Sequence, residues 1–268
     1  PTQQNDHVLL SLSSGQMLTG KLLVVAEGGN SPTRDKLNIT NDTSEYQQAA
    51  IIANVRIDQS PKILKKYDSN AAFERFTTKG PIAFLPIAEN EYNVVWTQSP
   101  DEAQVNMTLN DVAFCEALQL AFGYSAGRIT ACSKRAFYPL SLTKVERLAS
   151  PRTVLLGNTA HTVHPIAGQG FNLGVRDIGV LVFEIKQALE QGKDIGDFSV
   201  LNAYQENRLN DIERITEFTD MLVRIFALPG RLPAFTRTIG LMSLQKCDSL
   251  QQWLALHFMG SHKQLNLP

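Results

Sequence analysis

The chain has 268 residues, 43% hydrophobic and 19% charged, a composition typical of a globular protein rather than a disordered one. Its 25 Lys and Arg balance 26 Asp and Glu, so the net charge of -1 gives no general attraction to nucleic acid or anionic lipid. No apolar run approaches the length that spans a bilayer, and the start of the chain does not resemble a signal peptide. Three scattered cysteines without a CxxC pair favour a reducing, cytoplasmic setting.

The first half of the chain predicts mainly strands. Residues 7–29 indicate two strands around a turn at Ser13–Gln16, followed by an apolar run from Leu22 to Ala26. A further strand is predicted at "QQAAIIANVRI". Three more are predicted within 71–100, separated by the turn residues Lys79–Pro81 and Glu89–Asn90.

The second half predicts strands that give way to helices. A helix over 108–123 begins at Asn110 or Asp111 and ends at Gly123. Strands follow at "RAFYPLSLTKVERL" and "RTVLLG". Long helices are then predicted from Gln169 towards Leu189, over 199–228, and over 236–258.

The loop after "RTVLLG" contains glycines that suggest a nucleotide-binding turn. A dinucleotide motif needs G-x-G-x-x-G directly after a strand, with an acidic residue about 20 positions later at the end of the next strand. Here Leu173 stands where the third glycine is required, and the segment that follows is a helix. Glycines at a helix start still expose backbone N–H groups, which suit an anionic ligand atom. Tight packing of the helix entry is the alternative interpretation.

His161 and His164 have a spacing that a metal pair can use. Pro165 disfavours helix at His164, and no third Cys, Asp or Glu ligand cluster lies nearby, so no metal site is predicted. A hydrolase is also disfavoured because the chain has no G-x-S-x-G motif.

Two motifs together point to a family. "GNTAHTVHPIAGQGFNLGVRD" and "AEGGNSPTR" resemble the two later FAD motifs of the FAD-dependent aromatic hydroxylases, the para-hydroxybenzoate hydroxylase-like group A monooxygenases. Those motifs usually read G-D-A-A-H-x-x-x-P-x-x-G-Q-G-x-N and A-D-G-x-x-S-x-x-R. The chain is most similar to the ubiquinone-biosynthesis members, especially the 2-octaprenyl-6-methoxyphenol hydroxylases.

The resemblance implies a set of residues around FAD. Pro165, Gly168 and Gly170 are expected to position the flavin ring for catalysis, with no obligatory side-chain acid or base. Asn158 replaces an Asp that usually bonds the ribityl chain, and Glu27 also replaces an Asp, which puts its nicotinamide and pyrophosphate role in doubt. The full set of cofactor-binding residues implied is Gly157, Asn158, His161, Pro165, Gly168, Gln169, Gly170, Asn172, Glu27 and Arg34. The alternative to anion binding by Arg34 is a salt-bridged residue at the surface. His161 is expected to stabilise its loop through hydrogen bonds.

The implied fold is α/β (α+β): a partial FAD-binding domain of the glutathione-reductase type, an inserted and mainly antiparallel β-sheet substrate domain, and a helical C-terminus. The expected segments are 1–44 as the end of the FAD-binding domain, 45–150 as the substrate sheet, 151–200 as the flavin-ring cradle, and 201–268 as C-terminal helices. Phe84, Pro86 and Trp96 are candidates for the substrate-side wall, with plain core as an equal alternative.

The implied activity of the intact protein is hydroxylation of a polyprenylated phenol with FAD, NAD(P)H and O2 in ubiquinone biosynthesis. Expected partners are the prenylated phenol and proteins of a ubiquinone-biosynthesis complex, with peripheral contact to the inner membrane and no nucleic acid. The apolar residues Leu241, Met242, Leu244, Leu250, Trp253, Leu254 and Phe258 could provide that contact, or pack on the domain.

The G-x-G-x-x-G segment that holds the adenosine half of FAD in this family has no counterpart in these 268 residues. The piece alone is therefore expected to bind FAD weakly and to be inactive. Two alternatives remain open: another flavoprotein oxidoreductase on this scaffold, and a non-catalytic scaffold subunit. A halogenase is disfavoured because a W-x-W-x-I-P segment is absent from the sequence.

Overall fold

The computed structural model describes residues 1–58, 71–228, 230–249 and 251–252. The strands are β1 Thr2–Gln3, β2 Val8–Ser11, β3 Met17–Gly20, β4 Leu23–Val25, β5 Asn41–Asp58, β6 Phe73–Phe76, β7 Pro81–Ala88, β8 Glu91–Gln98, β9 Arg128–Cys132, β10 Ala136–Val145, β11 Ala149–Ser150, β12 Thr153–Leu155 and β13 His161–Thr162. The helices are α1 Pro32–Lys36, α2 Pro100–Thr108, α3 Asp111–Phe122, α4 Gln169–Glu190, α5 Phe198–Ala227 and α6 Arg231–Lys246.

The chain forms two compact units. The first comprises residues 1–44 and 141–220 with the described residues from 242 onward, and the second comprises the described residues of 45–140 and 221–241. The mixed α/β class with an antiparallel sheet and a helical C-terminal region, as predicted, is confirmed. In the part of the chain that the structure describes, no helix is both long and apolar enough to cross a membrane.

The second unit is an antiparallel sheet with the strand order β5-β8-β7-β6, and β9 also pairs with β5. The register sets Ile51 and Ile82 on either side of Trp96. Because alternate residues of a strand point to opposite faces, these three share one face. They join Phe114 and other residues of α3 in a single buried apolar cluster. One face of the sheet is therefore covered by helix.

Helix α3 begins and ends where the sequence predicts. The Asn110 side chain accepts a hydrogen bond from the Ala113 amide at 2.9 Å, and Gly123 ends the helix with a φ of 82°. Helix α2, begun by Ser99 and Pro100, was not predicted, because only Ala103 is buried in it and it has no apolar periodicity. Strand β9 was not predicted either.

The first unit holds the loops of interest. In one of its sheets β12 pairs in parallel with β4 and antiparallel with β11. Its apolar core includes Leu173 and Leu181 of α4 and Leu201 and Tyr204 of α5. The Tyr204 hydroxyl donates to the Leu155 carbonyl at 2.9 Å, which fixes α5 against the end of β12. The loop after β12 thus leaves a buried strand, and the loop after β4 begins at the buried Val25.

Candidate functional site

The two sequence motifs meet at Gly28 and Thr159. The Gly28 amide donates to Thr159 Oγ1 at 3.0 Å, and the Thr159 hydroxyl lies 3.1 Å from the Gly28 carbonyl oxygen, to which it donates. Arg34 adds a hydrogen bond from its guanidinium to the Thr159 carbonyl at 3.1 Å. Arg34 Nε also lies 3.6 Å from the Asp35 carboxylate, so the expected salt bridge is present, but the Arg34 side chain is buried rather than at the surface. The loops after β4 and β12 therefore form one assembly.

Glu27 is engaged by helix α1 rather than left free. Its carboxylate accepts hydrogen bonds from the Ser31 hydroxyl at 2.5 Å and the Thr33 amide at 2.7 Å. The hydrogen bond from Ser31 holds the pKa of Glu27 below its ordinary value, opposed by partial burial. The carboxylate thus binds the first turn of α1, where negative charge is favoured.

The entry to α4 is a short 3₁₀ turn, Ile166–Gly168, that follows Pro165. Gly168 occupies the N-cap position with a left-handed φ of 63°, and no side chain caps the helix. By contrast, side-chain oxygens of Ser31, Ser99 and Asn110 cap α1, α2 and α3. The amides of Gly168 and Gln169 donate instead to the backbone carbonyls of Pro165 and Ile166, and the helix dipole adds partial positive charge at this end. Such an end suits an anionic ligand atom.

The residues around this entry differ in accessibility. Gly168, Asn158 and Asn172 are exposed, whereas Pro165 and Gly170 are half-buried. Gln169 is buried, and its side-chain oxygen accepts from Arg176 at 3.3 Å. Gln169 can therefore meet a ligand at this entry through its backbone, whereas the two asparagines present side chains.

His161 and His164 are both buried, but they have different surroundings. His161 Nε2 donates to the Asp177 carboxylate at 2.8 Å. Burial raises the pKa of Asp177, but the hydrogen bond from His161 and the charge of Arg208 outweigh it and leave that pKa below the ordinary value. Burial lowers the pKa of His164 to about 4, so this ring is neutral near pH 7. Within the described ranges no group of three or more His, Cys, Asp or Glu residues is arranged to hold a metal ion.

The predicted substrate residues lie in the second unit. Phe84 and Trp96 are buried in its core; Phe84 stacks on Phe122 at 3.9 Å between ring centroids, and Trp96 lies 5.8 Å from Phe114. Pro86 is half-buried. Packing accounts for both side chains, because Phe84 is fully buried and Trp96 is only 7% exposed.

Asp177, Arg208 and Asp211 form the part of the site for which the sequence analysis assigned no role. Arg208 Nε donates to Asp177 at 2.7 Å, although 31 positions separate them. The sequence contains a signal for this pairing, because the charged Arg208 interrupts an apolar stripe on α5. The buried residues of that stripe recur at helical spacing: Leu201, Tyr204, Arg208, Ile212 and Ile215.

Comparisons with known proteins agree with this geometry. The profile of one protein family, described as an FAD binding domain, matches residues 3–219. Ubiquinone hydroxylase UbiL of Rhodospirillum rubrum is 32% identical over 258 residues, which cover 96% of this chain and 58% of that protein. The 3-demethoxyubiquinol 3-hydroxylase of Escherichia coli is 29% identical, with 94% of this chain and 62% of that protein covered.

Among solved structures, p-nitrophenol 4-monooxygenase PnpA from Pseudomonas putida matches with a TM-score of 0.74 over 96% of this chain and 65% of that one. At 17% identity this likeness shows the fold alone. The chain spans about three fifths of the length of the two relatives above. The family profile confirms the expectation that the two motifs carried, and this chain belongs to the FAD binding domain family.

Proposed function

We propose that the intact protein is an FAD-dependent monooxygenase that hydroxylates a phenolic, prenylated precursor of ubiquinone with NAD(P)H and O2. The names of the two relatives, a ubiquinone hydroxylase and a demethoxyubiquinol hydroxylase, support this substrate class. The exchange of the usual Asp for Asn158 keeps a hydrogen-bond acceptor for a ribityl hydroxyl and adds a donor.

The observation that carries the proposal is the uncapped entry of α4. A Cβ built on Gly157 or Gly168 meets no atom within 4 Å, so both glycines border open space, and both have a positive φ. Open space in front of this helix N-terminus, where the helix dipole adds partial positive charge, fits the flat ring of a flavin with its anionic pyrimidine edge. The residues present therefore fit the cofactor of the family.

Bound FAD would supply the redox chemistry that activates O2, because amino-acid side chains cannot. The chain's own residues would hold and orient the ring. The helix entry at Gly168–Gly170 would face the pyrimidine edge, Pro165 would line the ring, and Asn158 would bond the ribityl chain. Arg34 would act indirectly, by holding the carbonyl of Thr159.

The substrate wall is best assigned to the sheet face opposite Phe84 and Trp96. The register sets Ala83 beside Val95, both half-buried, on that opposite face. Thr97 shares the face, and its hydroxyl is buried without a hydrogen-bond partner among the described residues. Phe84 and Trp96 would then support the sheet from its covered side, and so would Pro86, which pairs with Tyr92 on that same side.

The prenyl tail of the proposed substrate is apolar, so it requires an apolar protein surface or a membrane next to the site. Met242 is 52% exposed and fits such a contact. The side chains of Leu241, Leu244 and Leu250, and all of Trp253, Leu254 and Phe258, lie outside the described residues. Contact with the inner membrane and with other ubiquinone-biosynthesis proteins stays a prediction.

The test is incubation of the full-length protein with FAD, NAD(P)H, ¹⁸O₂ and a prenylated phenol, followed by mass spectrometry of the phenol. We expect one ¹⁸O atom per product molecule. Oxidation of NAD(P)H without oxygen in the phenol would favour another flavoprotein oxidoreductase. Absence of flavin binding would favour a non-catalytic subunit.

A further inference from the structure

The Asp177 carboxylate is fully buried, yet three groups converge on it. The Gly157 amide donates to Oδ2 at 2.9 Å, and His161 Nε2 donates to the same oxygen at 2.8 Å. Arg208 Nε donates to Oδ1 at 2.7 Å. The 157–161 loop contains Asn158, and the Asp177 carboxylate links both ends of this loop to helix α5.

The network continues to the second part of the cradle. Arg208 also donates to Asp211, whose two carboxylate oxygens each lie 3.0 Å from Arg176 Nη1. Arg176 Nη2 in turn donates to the side-chain oxygen of Gln169 at 3.3 Å, at the first position of α4. A continuous series of ion pairs and hydrogen bonds therefore connects the loop after β12 with the helix entry that borders Gly168.

Stability alone does not call for this arrangement. Burying charged groups carries a large desolvation cost, and apolar side chains of similar volume often stabilise a core as well or better. Tyr204 and Ile212 flank Arg208 on the same stripe of α5, and both belong to the apolar core. An apolar side chain could therefore pack at the position of Arg208. Buried ion pairs do, however, impose one defined geometry on the groups that they join.

We propose that Asp177 and Arg208 are positioning residues, which hold the 157–161 loop and the α4 entry in the conformation that receives the flavin without touching it. The inference rests on the proposed function. Three directional bonds to one carboxylate fix the Gly157 amide and the His161 ring, and Arg208 fixes the carboxylate itself. Loss of the charge would release the loop while the apolar core beneath it remains.

The test compares Asp177→Asn with Tyr204→Phe in the full-length protein. Asp177→Asn keeps the size of the side chain but removes the charge and one acceptor oxygen. Tyr204→Phe is the matched control, because it removes one buried hydrogen bond to Leu155 from α5, the helix that carries Arg208, and leaves the ion pairs intact. Urea unfolding of both variants first establishes how much stability each loses.

Two further measurements separate positioning from stability. The first is hydrogen exchange of the Gly157 amide in protein stripped of flavin. The second is the dissociation constant of FAD from quenching of flavin fluorescence. We expect Asp177→Asn to speed the exchange and to weaken FAD binding by about tenfold or more each, as for loss of a charged hydrogen bond. Tyr204→Phe should change both by much less at a comparable loss of stability.

Equal exchange and equal FAD affinity in Asp177→Asn and wild type would overturn the inference. If the wild type itself bound no FAD, the proposed function would fail, and the exchange of the Gly157 amide alone would decide the positioning role. If Asp177→Asn does not fold, Arg208→Lys serves as the test variant. It keeps the positive charge but lacks the Nε donor to Asp177, so we expect faster exchange of the Gly157 amide and weaker FAD binding. Wild-type exchange and FAD affinity in Arg208→Lys would overturn the inference.

Discussion

Gly28 and Thr159 are 131 positions apart and hydrogen-bond to each other twice. A single side chain, fully buried, thereby satisfies both the amide and the carbonyl of one glycine. The contact joins the turn after β4 to the loop after β12, and the proposed flavin site depends on both.

Thr159→Val tests this contact. Valine has the same shape but leaves both groups of Gly28 without a protein partner, so we expect the free energy of unfolding to fall by about 1–3 kcal/mol. Urea denaturation gives this value. Thr159→Ser keeps the hydroxyl and should retain most of the stability; a serine variant as unstable as the valine variant would show that the methyl group matters instead.

Glu27→Gln tests the capping of α1. The pKa of Glu27 is lowered in the folded protein, so its contribution to stability is present above the unfolded pKa of about 4.5 and is lost as the pH falls through the folded value. The variant should therefore lose less stability than the wild type between about pH 6 and pH 3. Urea denaturation at both pH values measures this difference, and an equal loss in the variant and the wild type would contradict the role of the Glu27 charge.

His164→Gln tests the buried neutral histidine. Burial lowers the pKa of His164 from 6.5 to about 4, so between these values the unfolded chain binds a proton that the folded chain excludes. Stability is full above about pH 6.5 and falls as the pH drops towards 4. Urea unfolding at about pH 7 and pH 5 should show a smaller loss in the variant than in the wild type. An equal loss in the variant and the wild type would contradict the buried neutral state of His164.

Local signals in the sequence predicted much of the fold. Asn110 and Gly123 mark the ends of α3 through capping and left-handed geometry, which depend on neighbours a few positions away. The paired motifs likewise identified the loops that Gly28 and Thr159 join. Helix α2 escaped prediction because its stability comes from its cap and one buried alanine rather than from an apolar pattern.

Features that depend on pairing between distant strands could not be predicted in the same way. Phe84 and Trp96 were chosen for their chemistry, but the face on which they lie follows from the register of β7 against β8. A shift by one residue would exchange the faces. The pairing of Asp177 with Arg208 depends in the same way on how α5 packs against α4, and only the interrupted apolar stripe indicates it.

The central claim is that the Gly168 end of α4 holds the flavin ring, and Gly168→Ala tests it against Gly192→Ala. Both glycines have a positive φ, 63° and 66°, both have open space where a Cβ would stand, and they lie at opposite ends of the same helix. Each substitution should therefore cost a similar 1–2 kcal/mol of backbone strain, at about the level expected for a left-handed residue.

The decisive measurement is the dissociation constant of FAD for these two variants of the full-length protein. Gly168→Ala should weaken FAD binding by about tenfold or more, because its methyl group enters the open space at the N-terminus of α4, whereas Gly192→Ala should bind FAD like the wild type. Equal FAD affinity in the two variants would contradict the assignment of the flavin ring to this end of α4.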